Sequence, residues 1–207
     1  MIKLTYFDFD FWRIDIARLC LGYAKIPYKY NRVMRKDWDN NKKRFPFQQL
    51  PVMELDGKIY GHTHSISRFC AIKSGLYEND ELKALIIDQV LDWANEITFR
   101  IALSIREKNQ DKAKKLRQRF IKNDLYKWFG FLNNLYKSST TKNNFFTEKF
   151  SLADITAWRI ILWFVSGKLF DVPEEFIRDF PKLESFYKSI NDYDKFNKLS
   201  EFKEIMN

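Results

Sequence analysis

Residues 50–61 read LPVMELDGKIYG, and this stretch decides the fold of the first part of the chain. The pair Asp56-Gly57 separates two short runs of aliphatic, β-branched and aromatic residues, LPVMEL and KIYG. An Asp-Gly pair between two such runs is the strongest short-range signal of a β-hairpin, because both residues tolerate the positive φ angles of a tight turn. The sequence therefore predicts two antiparallel strands that are joined at Asp56-Gly57.

The residues on either side extend this hairpin into a mixed α/β unit. Residues 2–7, IKLTYF, are β-branched and aromatic and predict a first strand. Residues 14–23 carry apolar side chains at helical spacing, and residues 28–34, YKYNRVM, alternate like a second strand. A helical crossover makes the first two strands parallel. A helix is expected over residues 65–74, so the predicted order is β-α-β followed by β-β-α.

Beyond residue 77 the strand signals stop and helical patterns dominate. The predicted features are long amphipathic helices at 81–108 and 111–136, a polar loop at 138–144, a helix that opens with the capping box Ser151–Asp154, and shorter helices near Pro173 and Pro181. We therefore expect an α/β domain at 1–77, a linker at 78–80 and an all-helical domain at 81–207.

The charge balance of the 207-residue chain raises the question of a polyanionic partner. Its 36 Lys and Arg against 27 Asp and Glu give a formal net charge of +9, which can indicate nucleic acid or an acidic membrane surface. The basic residues are scattered, however, and no nucleic-acid recognition motif accompanies them. The densest cluster is Lys112, Lys114, Lys115, Arg117 and Arg119, which has helical spacing. We interpret it as a solvated helix face and predict no nucleic-acid partner.

Cysteine usage and hydropathy indicate in which cellular compartment the chain is expected. Cys20 and Cys70 lie far apart, form no CxxC pair and suggest no disulfide framework. The N-terminus lacks the pattern of a signal peptide, and no run of about 18 uncharged apolar residues predicts a membrane span. The only histidines, His62 and His64, have no cysteine or acid cluster nearby, so no metal site is expected. We predict a reduced, cytoplasmic protein without a membrane partner.

Five segments of the chain are informative when they are taken together: KLTYF at 3–7, DW at 37–38, FPFQQLPVMELDG at 45–57, THSISRF at 63–69 and FSLADITAW at 150–158. In order and at nearly the same spacing, they resemble segments of the cytosolic glutathione transferases of the sigma-like branch, which includes glutathione-dependent prostaglandin D synthases. The resemblance implies a thioredoxin-like glutathione-binding domain followed by a helical bundle, a homodimer, and a role in detoxification. It requires no metal or redox cofactor, since glutathione is the substrate.

The resemblance assigns the chemistry to Tyr6 at the end of the first predicted strand. A thiol is mostly protonated at neutral pH, and a hydroxyl that donates a hydrogen bond to the sulfur favours the thiolate. Arg13 matches the arginine that polarises this tyrosine and the sulfur. The loop DFDFWR at 8–13 is one residue longer than is usual and has Trp12 where the family has glycine. Its aromatic residues either reshape the pocket for the second substrate or simply pack.

The resemblance also implies how glutathione would be held. Leu50-Pro51 matches a cis-proline step at which the Leu50 backbone pairs with the cysteinyl backbone of glutathione. Gln49 should reach the glycyl end of the tripeptide. Trp38 and Lys42 should hold the glycyl carboxylate, with the lysine supplying charge and the indole a donor.

Three further positions match the γ-glutamyl end. Thr63 stands at a helix N-terminus, where its hydroxyl and the backbone N–H groups would bind the γ-glutamyl carboxylate, and His62 would donate to the same group. Glu96 matches an acid that reaches across the dimer to the glutathione amino group. A solvated helix face shared with Asp92 is the alternative interpretation of Glu96.

The second substrate is expected in an apolar pocket next to Tyr6. The positions that match its walls are Phe7, Phe9, Trp12, Leu103, Thr156 and Ile160. The predicted activity is glutathione S-transfer to a small hydrophobic electrophile, with isomerase or peroxidase side activity. Two alternatives stay open at this point: a glutathione-dependent prostaglandin isomerase, and a catalytically weak ligand-binding or structural protein that retains the fold.

Overall fold

The computed structural model describes residues 1–139 and 143–207, so residues 140–142 of the predicted polar loop lie outside the described residues. The chain forms two compact units, one of Met1–Asn79 with Tyr193–Asn207 (unit 1) and one of Asp80–Asp192 (unit 2). The elements of unit 1 are β1 (Ile2–Phe7), α1 (Trp12–Tyr23), β2 (Tyr28–Val33), α2 (Trp38–Asn41), β3 (Val52–Leu55), β4 (Lys58–Gly61) and α3 (Thr63–Lys73).

The sheet of unit 1 has the strand order β2-β1-β3-β4. Strand β1 is parallel to β2, with Tyr6 opposite Arg32, and antiparallel to β3, with Leu4 opposite Met53. Strands β3 and β4 form the predicted hairpin, and its turn places Asp56 at φ 52° and Gly57 at φ 75°. The predicted β-α-β, β-β-α order is therefore confirmed.

Helices α1 and α3 pack together and supply most of the core of unit 1. The buried side chains there include Leu4, Ile14, Ile16, Leu19, Ile66 and both cysteines. Cys20 and Cys70 are free thiols, and burial raises the pKa of Cys70 to about 12, so it stays protonated and unreactive at neutral pH. Helix α1 begins at Trp12, so Arg13 lies in its first turn and does not precede it.

The stretch between β2 and β3 consists of short turns that periodicity does not predict. Around α2 it contains the 3-10 turns Arg35–Asp37, Lys42–Arg44 and Pro46–Gln48. Phe47 and Gln48 have positive φ angles of 56° and 48°, and the Leu50–Pro51 peptide bond is cis. Each turn is too short to show a helical or a strand period, so its course is visible only in three dimensions.

The C-terminal end of the chain differs from the predicted division of the domains. Residues Tyr193–Asn207, with α9 (Asp194–Asn197) and α10 (Ser200–Met206), group with unit 1 and not with the helical unit. The physical reason is a set of polar contacts from α10: Glu204 pairs with Arg18, and Glu201 accepts a 2.9 Å hydrogen bond from the Tyr28 hydroxyl.

Unit 2 is helical, with a core of large aromatic side chains that includes Phe129, Phe146, Trp158, Phe164 and Phe176. Its elements are α4 (Glu81–Arg106), α5 (Gln110–Phe120), a π-helical turn (Ile121–Leu125), α6 (Tyr126–Ser139), α7 (Leu152–Val165), a 3-10 turn (Glu174–Asp179) and α8 (Pro181–Asn191). The helix expected over 111–136 is present as one continuous helical stretch from Gln110 to Ser139, and the π turn lies within it. The Ser151–Asp154 capping box is present at the start of α7.

The interpretation of the basic cluster on α5 as a solvated face is wrong at one position. Lys112, Lys114, Lys115 and Arg119 are exposed, but Arg117 is completely buried. Its Nε donates to the Ser104 hydroxyl (2.9 Å), and its guanidinium lies 4.0 Å from the centroid of the Phe170 ring.

Within residues 1–139 and 143–207, no helix is long and apolar enough to cross a membrane.

Candidate active site

Tyr6 lies near the end of β1, and its side chain is only 4% exposed. Three phenylalanine rings surround it. The centroids of Phe7 and Phe9 lie 5.4 and 5.6 Å from that of Tyr6 in edge-on arrangements, and Phe11 stacks on it at 6.5 Å. Sequence reasoning did not single out Phe11 as a neighbour of Tyr6, although the alternating DFDF pattern places it on the same side of the loop as Phe9.

The electrostatic surroundings of Tyr6 keep it protonated. Burial raises the pKa of the Tyr6 phenol well above its usual range; Arg13 and Arg35 lower that pKa, whereas Asp15 and Tyr30 raise it. At neutral pH the hydroxyl is therefore a hydrogen-bond donor and not a phenolate. Among the charged groups that act on this pKa, Arg13 has the largest effect.

The side chain of Trp38 continues this aromatic cluster. Its ring contacts Phe7 edge-on at 5.0 Å and stacks with Phe45 at 5.9 Å, so an aromatic row joins Tyr6 to α2. Lys42, one turn further, pairs with Asp39 across 2.8 Å. A carboxylate bound by Lys42 would therefore compete with Asp39 for the ammonium group.

The loop before β3 and the start of α3 carry the other residues predicted to bind glutathione. Gln49 is exposed, Leu50 is half-buried and Pro51 is buried directly before β3. Thr63 is the first residue of α3 and is 5% exposed, at the end of the helix where backbone N–H groups are left without intrahelical partners. His62 is exposed with φ 70°, and its ring packs on Phe47 at 4.3 Å.

Trp12 does not reach the surface. It is fully buried in the first turn of α1, and its indole N–H has no hydrogen-bond partner among the residues that the structure describes. The Arg13 guanidinium lies 4.8 Å from the Trp12 ring centroid. Trp12 therefore supports the position of Arg13 by packing, which is the alternative that sequence analysis left open for this residue.

Four of the predicted residues belong to unit 2. Glu96 is exposed on α4 and lies 3.8 Å from Arg100, which also pairs with Asp124. Leu103 is 66% exposed on the same helix. On α7, Ile160 and Thr156 are fully buried, and the Thr156 hydroxyl donates to the Leu152 carbonyl at 2.7 Å, as a core threonine does.

A cavity of about 330 Å³ lies on unit 1 apart from these residues. Its walls come from the sheet and from residues 31–45 and include Thr5, Asn31, Met34, Asn41, Phe45 and Val52. None of the residues predicted to bind glutathione lines it.

In the described part of the chain, no group of three or more His, Cys, Asp or Glu side chains could hold a metal ion.

The chain is similar in sequence and in fold to known glutathione S-transferases and prostaglandin synthases. Residues 95–202 match the family model of the glutathione S-transferase C-terminal domain. The chain is 34% identical over 113 residues to hematopoietic prostaglandin D synthase of Gallus gallus, a match that covers 55% of each protein. It is 33% identical over 171 residues to glutathione S-transferase 2 of Manduca sexta, covering 82% of this chain and 77% of that protein. The solved prostaglandin synthase D of Nilaparvata lugens superposes with a TM-score of 0.81 at 26% identity, covering 95% of both chains.

Proposed function

This chain belongs to the glutathione S-transferase family, and on that basis we propose that it transfers glutathione to a small apolar electrophile, with Tyr6 as the hydroxyl that stabilises the sulfur. The observation that carries the proposal is the environment of Tyr6. Burial holds the phenol in its protonated form, and the positive charge of Arg13 acts on the same hydroxyl. A neutral donor beside a cation favours a thiolate over a thiol.

The reaction then has two simple parts. The thiol of bound glutathione loses its proton to solvent, and the thiolate accepts a hydrogen bond from Tyr6 while Arg13 balances its charge. The sulfur attacks an electrophilic carbon, a C–S bond forms, and the leaving group departs with its electron pair. No metal or redox cofactor takes part in these steps.

For glutathione itself, the proposed contacts follow the residues that match the family. The N-terminus of α3 at Thr63 suits an anionic carboxylate, because unpaired N–H groups and the helix dipole both favour negative charge. Leu50 would meet the cysteinyl backbone, and Gln49 the glycyl end. These positions together with Trp38, Lys42, Pro51 and His62 form the proposed glutathione site.

The remaining proposals are an electrophile site, a dimer and a cellular location. Phe7 and Phe9 would form the apolar wall beside Tyr6. Glu96 is exposed on α4 and would reach the glutathione amino group of a second copy in a homodimer. We also assign the chain to the sigma-like branch and to the cytoplasm, on the sequence segments and composition described above.

Specific observations favour two alternative activities. Relatives named prostaglandin D synthase support testing isomerisation of a prostaglandin endoperoxide. The rings of Phe9 and Phe11, which pack on Tyr6, support a second alternative, a protein that binds glutathione but turns over slowly.

Conjugation of a small chloroarene separates these functions. Tyr6→Phe should lower the rate by about ten-fold or more and leave glutathione affinity, measured by calorimetry, unchanged. Tyr60→Phe is the matched control, because Tyr60 is exposed on β4 and away from Tyr6. Wild-type activity no higher than the uncatalysed rate, with glutathione still bound, would reject the transferase proposal and favour the binding protein.

A further inference from the structure

Arg32 joins the loop after β1 to the C-terminal helix. Its Nη2 donates to Asp10 at 2.9 Å and to Glu204 at 2.8 Å, and its Nη1 lies 3.6 Å from Asp8. Arg32 is also the residue of β2 that stands opposite Tyr6 in the sheet. One side chain therefore connects three carboxylates from two parts of the chain next to the strand that carries Tyr6.

A second arginine strengthens this network. Arg18 of α1 is 3% exposed, pairs with Glu204, and lies 3.7 Å from Asp15. The guanidinium carbons of Arg18 and Arg32 lie 4.3 and 5.1 Å from the centroid of the Tyr30 ring. A buried guanidinium needs a compensating carboxylate, so Glu204 is held more firmly than the acid of an isolated surface pair.

Acidic and aromatic residues alternate in the loop after β1, and the two kinds of side chain point in different directions. Asp8 and Asp10 turn toward Arg32, whereas Phe9 and Phe11 turn their rings toward Tyr6. The backbone supports the same course: the Asp8 N–H donates to the Val33 carbonyl at 3.0 Å, and the Phe9 N–H to the Phe7 carbonyl at 2.8 Å. Carboxylates that are fixed on one side therefore determine where the aromatic rings lie on the other.

We propose that Asp10, Arg32 and Glu204 are positioning residues that hold Phe9 and Phe11 against Tyr6, and that they thereby set which electrophiles the site accepts. The proposal rests on the proposed function, because it assigns the specificity of that same site. It gives the C-terminal helix a role at the site through Glu204, although no residue of that helix contacts Tyr6 in the described contacts. Neither Asp10 nor Glu204 needs to touch the substrate for this.

The test uses Asp10→Asn and Glu204→Gln in full-length protein that carries 4-fluorophenylalanine at position 9. Lys203→Gln is the matched control, because Lys203 is an exposed charge on the same helix. We expect the ¹⁹F resonance to move toward that of free 4-fluorophenylalanine in both test variants and to stay in place in the control. The KM for a chloroarene should rise about five-fold or more, with the KM for glutathione within about two-fold of wild type.

Each outcome decides a different claim. An unchanged ¹⁹F resonance in both test variants would overturn the proposal, and so would a shifted resonance with an unchanged KM for the chloroarene. A wild type without conjugation activity would reject the proposed function instead, and the ¹⁹F spectra would still show whether the loop is held. If Glu204→Gln fails to fold, Asp10→Asn decides, because Asp10 is an exposed loop residue.

Discussion

A Cβ atom on Gly22 would lie 2.6 Å from the carboxyl carbon of Glu201. Gly22 is in α1 and Glu201 is in α10, where its carboxylate accepts the hydrogen bond from Tyr28. The missing side chain at position 22 therefore lets this carboxylate approach α1 and reach the Tyr28 hydroxyl.

Gly22→Ala should lower the free energy of unfolding by about 1 kcal/mol, because the Glu201 carboxylate must move away and lose its bond to Tyr28. Gly130→Ala is the control: Gly130 is also helical, and its new Cβ would meet only Phe180 at 3.8 Å. Alanine at position 130 should raise the free energy of unfolding by about 0.5–1 kcal/mol, because alanine has a higher helix propensity than glycine. Urea unfolding measures both, and equal stabilisation by the two substitutions would contradict the role given to Gly22.

Arg13→Gln should move the pH dependence of conjugation upward by about one unit. Burial raises the pKa of Tyr6, and Arg13 is the charge that opposes this most. Removing a cation raises the pKa of a neighbouring acid, so the glutathione thiolate would form only at higher pH. The profile of kcat/KM between about pH 6 and pH 9 measures the shift. Arg35→Gln should shift this pH profile less, because Arg35 lowers the pKa of Tyr6 less than Arg13 does. A larger shift for Arg35→Gln than for Arg13→Gln would contradict this order of effects.

Because of Asp154, the protein should be more stable in mild acid than at neutral pH. Burial raises the pKa of this carboxyl to about 7, against the lowering effect of hydrogen bonds from Phe146 and Ser151. A raised folded-state pKa means that the contribution to stability is fully present below about pH 4 and is lost as the pH rises through about 7.

The measurement for Asp154 compares wild type with Asp154→Asn, which cannot titrate. From about pH 7.5 to pH 5.5 the free energy of unfolding of the wild type should rise by about 2 kcal/mol relative to the variant. Parallel curves for the two proteins would show that Asp154 titrates at its ordinary pKa.

Arg117→Ala should cost about 2–4 kcal/mol of unfolding free energy, because it removes a buried side chain and the donor to the Ser104 hydroxyl. Burial lowers the pKa of Arg117 to about 10, so the guanidinium remains charged at neutral pH. Arg119→Ala, on the exposed face of the same helix, should change stability by less than about 0.5 kcal/mol. Thermal unfolding of both variants tests this, and similar losses would mean that Arg117 is not a core residue.

Much of the fold could be predicted because its signals are local. The Asp56-Gly57 hairpin, the strand at 2–7 and the capping box at Ser151–Asp154 each depend on residues within a few positions of one another. Signals of this range are carried by residue type and spacing alone.

The sequence segments name candidate site residues but do not give their arrangement. Tyr6 and Arg13 follow from sequence segments, whereas the packing of Phe11 on Tyr6 depends on the path of a loop without a period. Whether Trp12 is exposed or buried also depends on what packs around it, and spacing along the chain does not contain that information.

The sequence by itself determined the element order, the hairpin, the helix caps and the residues that resemble a glutathione site, because these depend on near neighbours along the chain. Only the tertiary structure decided that Arg117 is buried, that α10 packs with unit 1, and that Arg32 meets Glu204, which lies 172 residues away. Such pairs form when distant segments are brought together by burial of a common core, and an alternating loop such as DFDF does not show which arginine its acids will face.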